Sequence, residues 1–186
     1  MKLSIASILL LASSLQAAET TLGRAEAMKA FEYLNKVRVN PGRYIKDTGV
    51  DLSSIKPQKK LKWNTTLARV AEKKAADMAK RNYFGHQTPE GVGINHMMHE
   101  AGYKLPEYMR KKKSANFFES IAAGKSNGQD TIKMLIVDKG VKSLGHRKHL
   151  LGMTKFWSNC KDIGIGFATN PKSRYRHYVV IIIAKQ

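Results

Sequence analysis

Asp162-Ile163-Gly164-Ile165-Gly166-Phe167-Ala168-Thr169 and Arg176-His177-Tyr178-Val179-Val180-Ile181-Ile182-Ile183-Ala184-Lys185 are two β-rich runs. Between them stands Asn170-Pro171-Lys172-Ser173, a cluster of turn-forming residues, so the pair predicts a β-hairpin. The apolar part, Tyr178 to Ala184, has the length of a strand and is far too short to cross a membrane. Upstream, Asn116 to Ala122 reads as a third strand closed by Gly124.

The remaining regular segments before this hairpin have helical spacing. Met28, Phe31, Leu34 and Val37 recur at helical intervals between Arg24 and Val39, and Asn40-Pro41-Gly42 ends that run. A loop containing Asp47-Thr48-Gly49 and Pro57 follows. Asn64 is placed to cap a helix whose apolar stripe is Leu67, Val70, Ala71, Ala75, Met78 and Ala79. Phe84-Gly85-His86 leaves it for a turn, and a short helix over 95–101 has Gly102 at its C-terminal end. Asp130 is expected to cap a helix from Thr131 to about Asp138, and Gly145 to Leu151 reads as a further short helix or turn. Helices early, a strand in the middle and a hairpin last predict an α+β domain with helices packed on an antiparallel sheet.

The N-terminus reads as a secretory signal over residues 1–17. Met1-Lys2 is a short positive start, Leu3 to Leu15 is apolar, and Leu15-Gln16-Ala17-Ala18 supplies small residues for cleavage. The expected product is a single domain over residues 18–186, secreted or periplasmic. Cys160 is the only cysteine, so no internal disulfide can hold this domain and its stability must come from its core. Cys160 itself is either a small buried apolar residue or a free thiol. Lys and Arg number 33 against 14 acids, a formal charge of +19 that becomes +18 once Lys2 leaves with the signal. Such a charge speeds encounters with polyanions. Outside the cytoplasm, the expected partners are anionic lipid or an anionic envelope polymer, and no specific nucleic acid. The run Arg110 to Lys113 reads as a solvated basic loop.

Three polar residues stand out for chemistry: His86 after a helix, Glu119 inside an apolar strand, and His146 in Gly145-His146-Arg147. A buried Glu119 needs a cationic or hydrogen-bonding partner, and imidazole can donate to a carboxylate and be fixed in one tautomer by it. Two histidines and a carboxylate are also a set that can bind zinc with one position open. His96, His99 and Glu100 fall three and four residues apart on one predicted helix and read as an exposed polar face. His99-Glu100 begins an H-E-x-x-H pattern, but Tyr103 occupies the second histidine's place. Gly91-Val92-Gly93 is too short for a phosphate-binding loop.

Taken in order, several segments resemble the SCP domain of the CAP superfamily, which includes cysteine-rich secretory proteins, antigen 5 and pathogenesis-related proteins. Leu34-Asn35-Lys36-Val37-Arg38 resembles its first helix. The next match runs from Leu61-Lys62-Trp63-Asn64 to Ala79, then Phe84-Gly85-His86 and Ala101-Gly102-Tyr103. Phe118-Glu119-Ser120-Ile121-Ala122-Ala123-Gly124 is similar to the family's G-E-N-I-A-x-G strand. Ser143-Leu144-Gly145-His146-Arg147-Lys148-His149-Leu150-Leu151 is similar to its S-x-G-H-R-x-N-L-L segment, and Ile163-Gly164-Ile165-Gly166 to the strand that follows. The chain departs from the pattern at Phe118 and Ser120, where the family has Gly and Asn, and at His149, where it has Asn. The family's Trp before G-H-R is absent, with Leu135 or Ile136 near its place, and so are the disulfides of eukaryotic members.

The resemblance implies an α-β-α sandwich with a central cleft faced by His86, His146 and Glu119. The fourth cleft position falls on Asp138, with Ser143 as the alternative. It further implies a ligand-binding protein of the cell envelope or of a host encounter, with lipid or a host factor as partner and a divalent cation, zinc or calcium, held by His86 and His146. The enzymatic alternative is a metal-dependent hydrolase in which the same residues activate water or Glu119 acts as general base. A third reading is a basic protein that binds polyanions through the Arg110 to Lys113 loop and scattered lysines.

Overall fold

The computed structural model describes residues 19–186, so the signal predicted for residues 1–17 lies outside the described residues. The hairpin forms as β4 (Asp162–Thr169) and β5 (His177–Ala184), antiparallel with Ile165 opposite Ile181. On its other side β5 pairs antiparallel with β3 (Glu119–Ala123), placing Glu119 opposite Ile182. The free edge of β4 is shared by two short strands. β1 (Thr21–Leu22) is antiparallel at its end, and β2 (Lys62–Trp63) is parallel at its start. The strand order is therefore β1-β4-β5-β3, with β2 alongside β4 and the last two strands of the chain at the centre.

Around this sheet lie α1 (Arg24–Val39), α2 (Ile45–Thr48), α3 (Thr65–Arg81), α4 (Ile94–Glu100), α5 (Glu107–Arg110), α6 (Gly128–Val137), α7 (Gly145–Leu151) and α8 (Lys155–Ser158). Asn64 caps α3 by accepting from the Leu67 amide, and all six residues of the predicted apolar stripe are buried. That stripe faces β4 and β5. The approach is so close that a Cβ on Gly164 would stand 2.2 Å from the Ala68 amide nitrogen, and one on Gly166 2.2 Å from the Ala71 carbonyl carbon. Glycine at alternate positions of β4 thus lets the α3 backbone lie directly on the strand. The intervening Ile163, Ile165 and Phe167 point to the opposite face and are buried there. Phe167 meets Gly23 at the start of α1, and α1 packs in turn on β4 and α6. Helix, sheet, helix is the α-β-α sandwich expected from the motifs.

Four details differ from the sequence reading. The buried face of α1 is Ala27, Ala30, Leu34 and Val37, while Met28 is 38% exposed. Asp47-Thr48-Gly49 is a short helical turn closed by Gly49 at φ 72° instead of an irregular loop. α6 is capped by Asn127, whose side chain accepts from the Asp130 amide, so the helix begins three residues earlier than an Asp130 cap implies. β3 begins at Glu119, because side chains claim the backbone before it: Phe117 donates to Asn95 Oδ1 and accepts from Trp157 Nε1. Cys160 is fully buried, and burial pushes its thiol up to about 11. Among the described residues, no helix is long and apolar enough to cross a membrane.

Candidate functional site

β3 brings a carboxylate to a histidine. Successive strand residues point to opposite faces, so Glu119 and Ser120 serve different neighbours. The Glu119 side chain has no exposed surface, and its Oε2 lies 2.7 Å from Nδ1 of His86, whose own side chain is 47% exposed. Asn116 Nδ2 donates to the same carboxylate oxygen at 3.3 Å and stands 2.8 Å from His86 Nδ1. Among the described residues, buried Glu119 Oε1 has no hydrogen-bond partner. Burial raises the Glu119 pKa, while His86 and, more weakly, the positive charge of Lys74 oppose that rise. Lys74 is itself fully buried on α3, and its Nζ donates to Tyr83 Oη at 3.3 Å. Tyr83 Oη donates onward to Asp77 at 2.6 Å, so a chain of polar groups runs along α3 from the buried Lys74 to the half-buried Tyr83 and Asp77.

The second histidine is held in the same way by a different carboxylate. Asp138, at the C-terminal end of α6, adopts a left-handed backbone with φ 53°. Its Oδ1 lies 2.7 Å from His146 Nδ1, and its Oδ2 accepts from the backbone amides of His146 and Arg147 at 3.0 and 3.3 Å. One aspartate therefore caps the first turn of α7 and fixes the ring of His146, the second residue of that helix. Arg147 completes the joint by donating from Nε to the Ile136 carbonyl and from Nη2 to the Val137 carbonyl. Asp138 and Leu144 both have positive φ, at 53° and 50°, so two non-glycine residues in the connection are held in an unfavourable conformation. Reciprocal capping of α6 and α7 is what holds them there.

Between the carboxylate-held histidines the core contains a third, His149. Ser120 Oγ is 2.7 Å from His149 Nδ1, and both residues are buried. These are two of the positions where the chain departs from the family's Asn residues, and the departures hydrogen-bond to each other. Burial lowers the His149 pKa to about 3, with the Ile183 carbonyl opposing; Arg38, His146 and His86 are close enough to disfavour its protonation further. Among the described residues, His149 Nε2 has no partner within good hydrogen-bond geometry.

A hollow of about 580 Å³ opens beside His146 and Asp138. Its apolar wall includes Ile121, Met134 and Val141, and Lys125 and Lys139 line it as well. Phe84 also lines it and is 44% exposed, stacking edge-on against Tyr175 with ring centroids 5.7 Å apart. His86 is outside that lining, two residues beyond Phe84.

Of the two sequence candidates for the fourth cleft position, Asp138 binds His146, whereas Ser143 is exposed. Glu119 has no surface from which to act on a substrate directly, so any influence on the cleft passes through His86. His96 and Glu100 line a separate hollow between α3 and α4. Among the described residues, no three or more His, Cys, Asp or Glu side chains come together as a ready metal-ligand set. The G-x-S-x-G spacing occurs at Gly124-Lys125-Ser126-Asn127-Gly128, from the end of β3 to the first residue of α6, but among the described residues the exposed Ser126 makes no side-chain hydrogen bond to a histidine.

No curated protein matches the sequence. Solved structures that share its fold include two bacterial surface or extracellular proteins. An extracellular SCP-domain protein of Bacillus anthracis str. Ames superposes with TM-score 0.55 at 21% identity; the match covers 87% of this chain and 41% of that one. An outer surface protein of Borrelia burgdorferi superposes with TM-score 0.58 at 13% identity, covering 91% of this chain and 99% of that one. This chain thus spans well under half of the Bacillus protein and nearly all of the Borrelia one. The model of the cysteine-rich secretory protein family matches residues 31–183, and the chain belongs to that family, the CAP family, with an SCP domain.

Proposed function

We propose that this is an exported ligand-binding protein whose cleft holds its ligand through His86 and His146, with a divalent cation such as zinc or calcium between ligand and protein. The observation that carries the reading is the pairing of each histidine with its own carboxylate through Nδ1. With Nδ1–H donated to Asp138, His146 keeps the lone pair of Nε2 for a ligand, and His86 does the same when its Nδ1–H goes to Glu119 instead of Nδ1 accepting from Asn116. Carboxylates in that position tune metal-binding histidines and are not ligands themselves. Two imidazole donors suit zinc, whereas calcium takes oxygen ligands, which here would have to come from the bound ligand and water. A cation there would supply Lewis-acid polarisation of a bound oxygen. The chain's own residues do the rest: Glu119 and Asp138 orient the rings, and Phe84, Tyr175 and the apolar wall exclude water. Lys125 and Lys139 favour an anionic ligand.

Export is supported by the leader-like N-terminus and by the descriptions of the two structural relatives as extracellular and outer-surface proteins. Calorimetry of the purified protein with zinc and with calcium tests the cleft. Binding by the parent that disappears in a folded His86→Ala/His146→Ala variant upholds it. Absence of binding, or equal binding by both proteins, rejects the cation.

A further inference from the structure

We propose a second ligand site, on the outer side of α3, that takes an organic anion with an apolar body. A hollow of about 350 Å³ lies between α3 and α4, a size usual for small-molecule sites. Its floor is apolar, made by Val70, Val92, Met97 and Ala101. Its α3 rim carries Arg69 and Lys73, one helical turn apart and so on the same face. Both are exposed, and neither belongs to an ion pair among the described residues; Arg81, further along the helix, is paired with both Asp77 and Glu90. Two uncompensated cations beside an apolar floor are complementary to a carboxylate, sulfonate or phosphate carried on a hydrocarbon or aromatic body. His96 and Glu100 form the α4 rim, and the negative Glu100 directs the anionic end of such a ligand to the α3 side.

A neighbouring hollow shares Lys73, Val92 and Met97 and continues along α3 past Lys80. Lys80 follows Arg69 by eleven residues, close to three full turns, and so lies on the same side of the helix, where Asp77 and Glu90, both paired with Arg81, also line this second hollow. A polyanion would need the charges but not the floor; the floor is the reason for choosing a compact amphipathic anion. No lining residue is shared with the hollow beside His146, so the two sites can be filled independently.

Fluorescence titration with anilinonaphthalenesulfonate, and with uncharged phenylnaphthylamine for comparison, tests this. Saturable one-site binding of the sulfonate is expected. Arg69→Ala/Lys73→Ala, at exposed positions, should weaken it about tenfold while leaving the uncharged dye nearly unaffected. Val92→Glu should abolish both, and Arg110→Ala/Lys112→Ala, which removes the same charge from the exposed loop, should change neither. The proposal is overturned if the parent does not bind the sulfonate. It is equally overturned if the α3 variant binds as tightly as the parent, if the loop variant loses as much, or if Phe84→Ala in the cleft abolishes binding instead.

Discussion

Ser120 and His149 form a closed pair in the core: each is buried, and each is the other's hydrogen-bond partner. Ser120→Ala leaves both ring nitrogens of His149 unpartnered and is expected to cost about 1–3 kcal/mol in urea unfolding. The same histidine makes the fold acid-sensitive. Its pKa is 6.5 as a free side chain and about 3 when folded, so in that interval the unfolded chain binds the proton and the folded one does not. Stability is therefore complete above about pH 6.5 and falls as pH drops toward 3, by up to ~1.4 kcal/mol per pH unit. Urea midpoints measured across that range check the slope, and His149→Asn should flatten it. At the cleft, Asp138→Asn keeps a residue that tolerates the left-handed backbone but can donate to His146 Nδ1, turning the protonated nitrogen outward. Zinc affinity should fall about 10- to 100-fold with the fold retained, by calorimetry and circular dichroism. Which acid meets which histidine was only partly visible in sequence. Glu119 declared itself as a charge within an apolar strand, whereas Lys74 and Arg38 did not. Both are buried cations on helices that would otherwise read as having polar outer faces, and only the packing exposes them as internal.

The elements were legible wherever periodicity and capping agreed. α3 has a cap, a stripe and an end that all point to the same residues, and β4 and β5 have strand composition with a turn between them. Legibility failed where side chains compete for backbone. Asn127 and Asp130 are both good caps, and only the three-dimensional closeness of Gly128 to Glu26 selects the earlier one; a Cβ on Gly128 would fall 2.0 Å from the Glu26 carbonyl oxygen. Asn127→Ala should consequently cost about 1 kcal/mol, whereas Asp130→Ala should cost less, both read from thermal unfolding. The alternating glycines of β4 could be read as family pattern but not as mechanism, since nothing in a strand's own sequence says that a helix backbone will rest on it. Gly166→Ala puts a methyl group into the Ala71 peptide and is expected to destabilise by about 3 kcal/mol or more, a loss visible in denaturant unfolding.

Over the whole molecule, the charge of +19 has few internal counterweights, and the ion pairs that do form are mostly at the surface. Self-repulsion is therefore expected to lower stability at low ionic strength. Adding salt to about 0.15 M, where the screening length is about 8 Å, should raise the unfolding temperature, as calorimetry would detect. The placing of β4 and β5 at the centre of the sheet has a consequence in time. Residues 162–184 are the last segment of the described chain to be synthesised, yet α3, β1, β2 and β3 all find their partners on them. A chain still being made has no sheet on which to rest its helical segments, and its pairings span long stretches of sequence whose closure is slow. Completion of the core is therefore expected to wait for residues 162–184, which carry a partner in every strand pairing of the sheet.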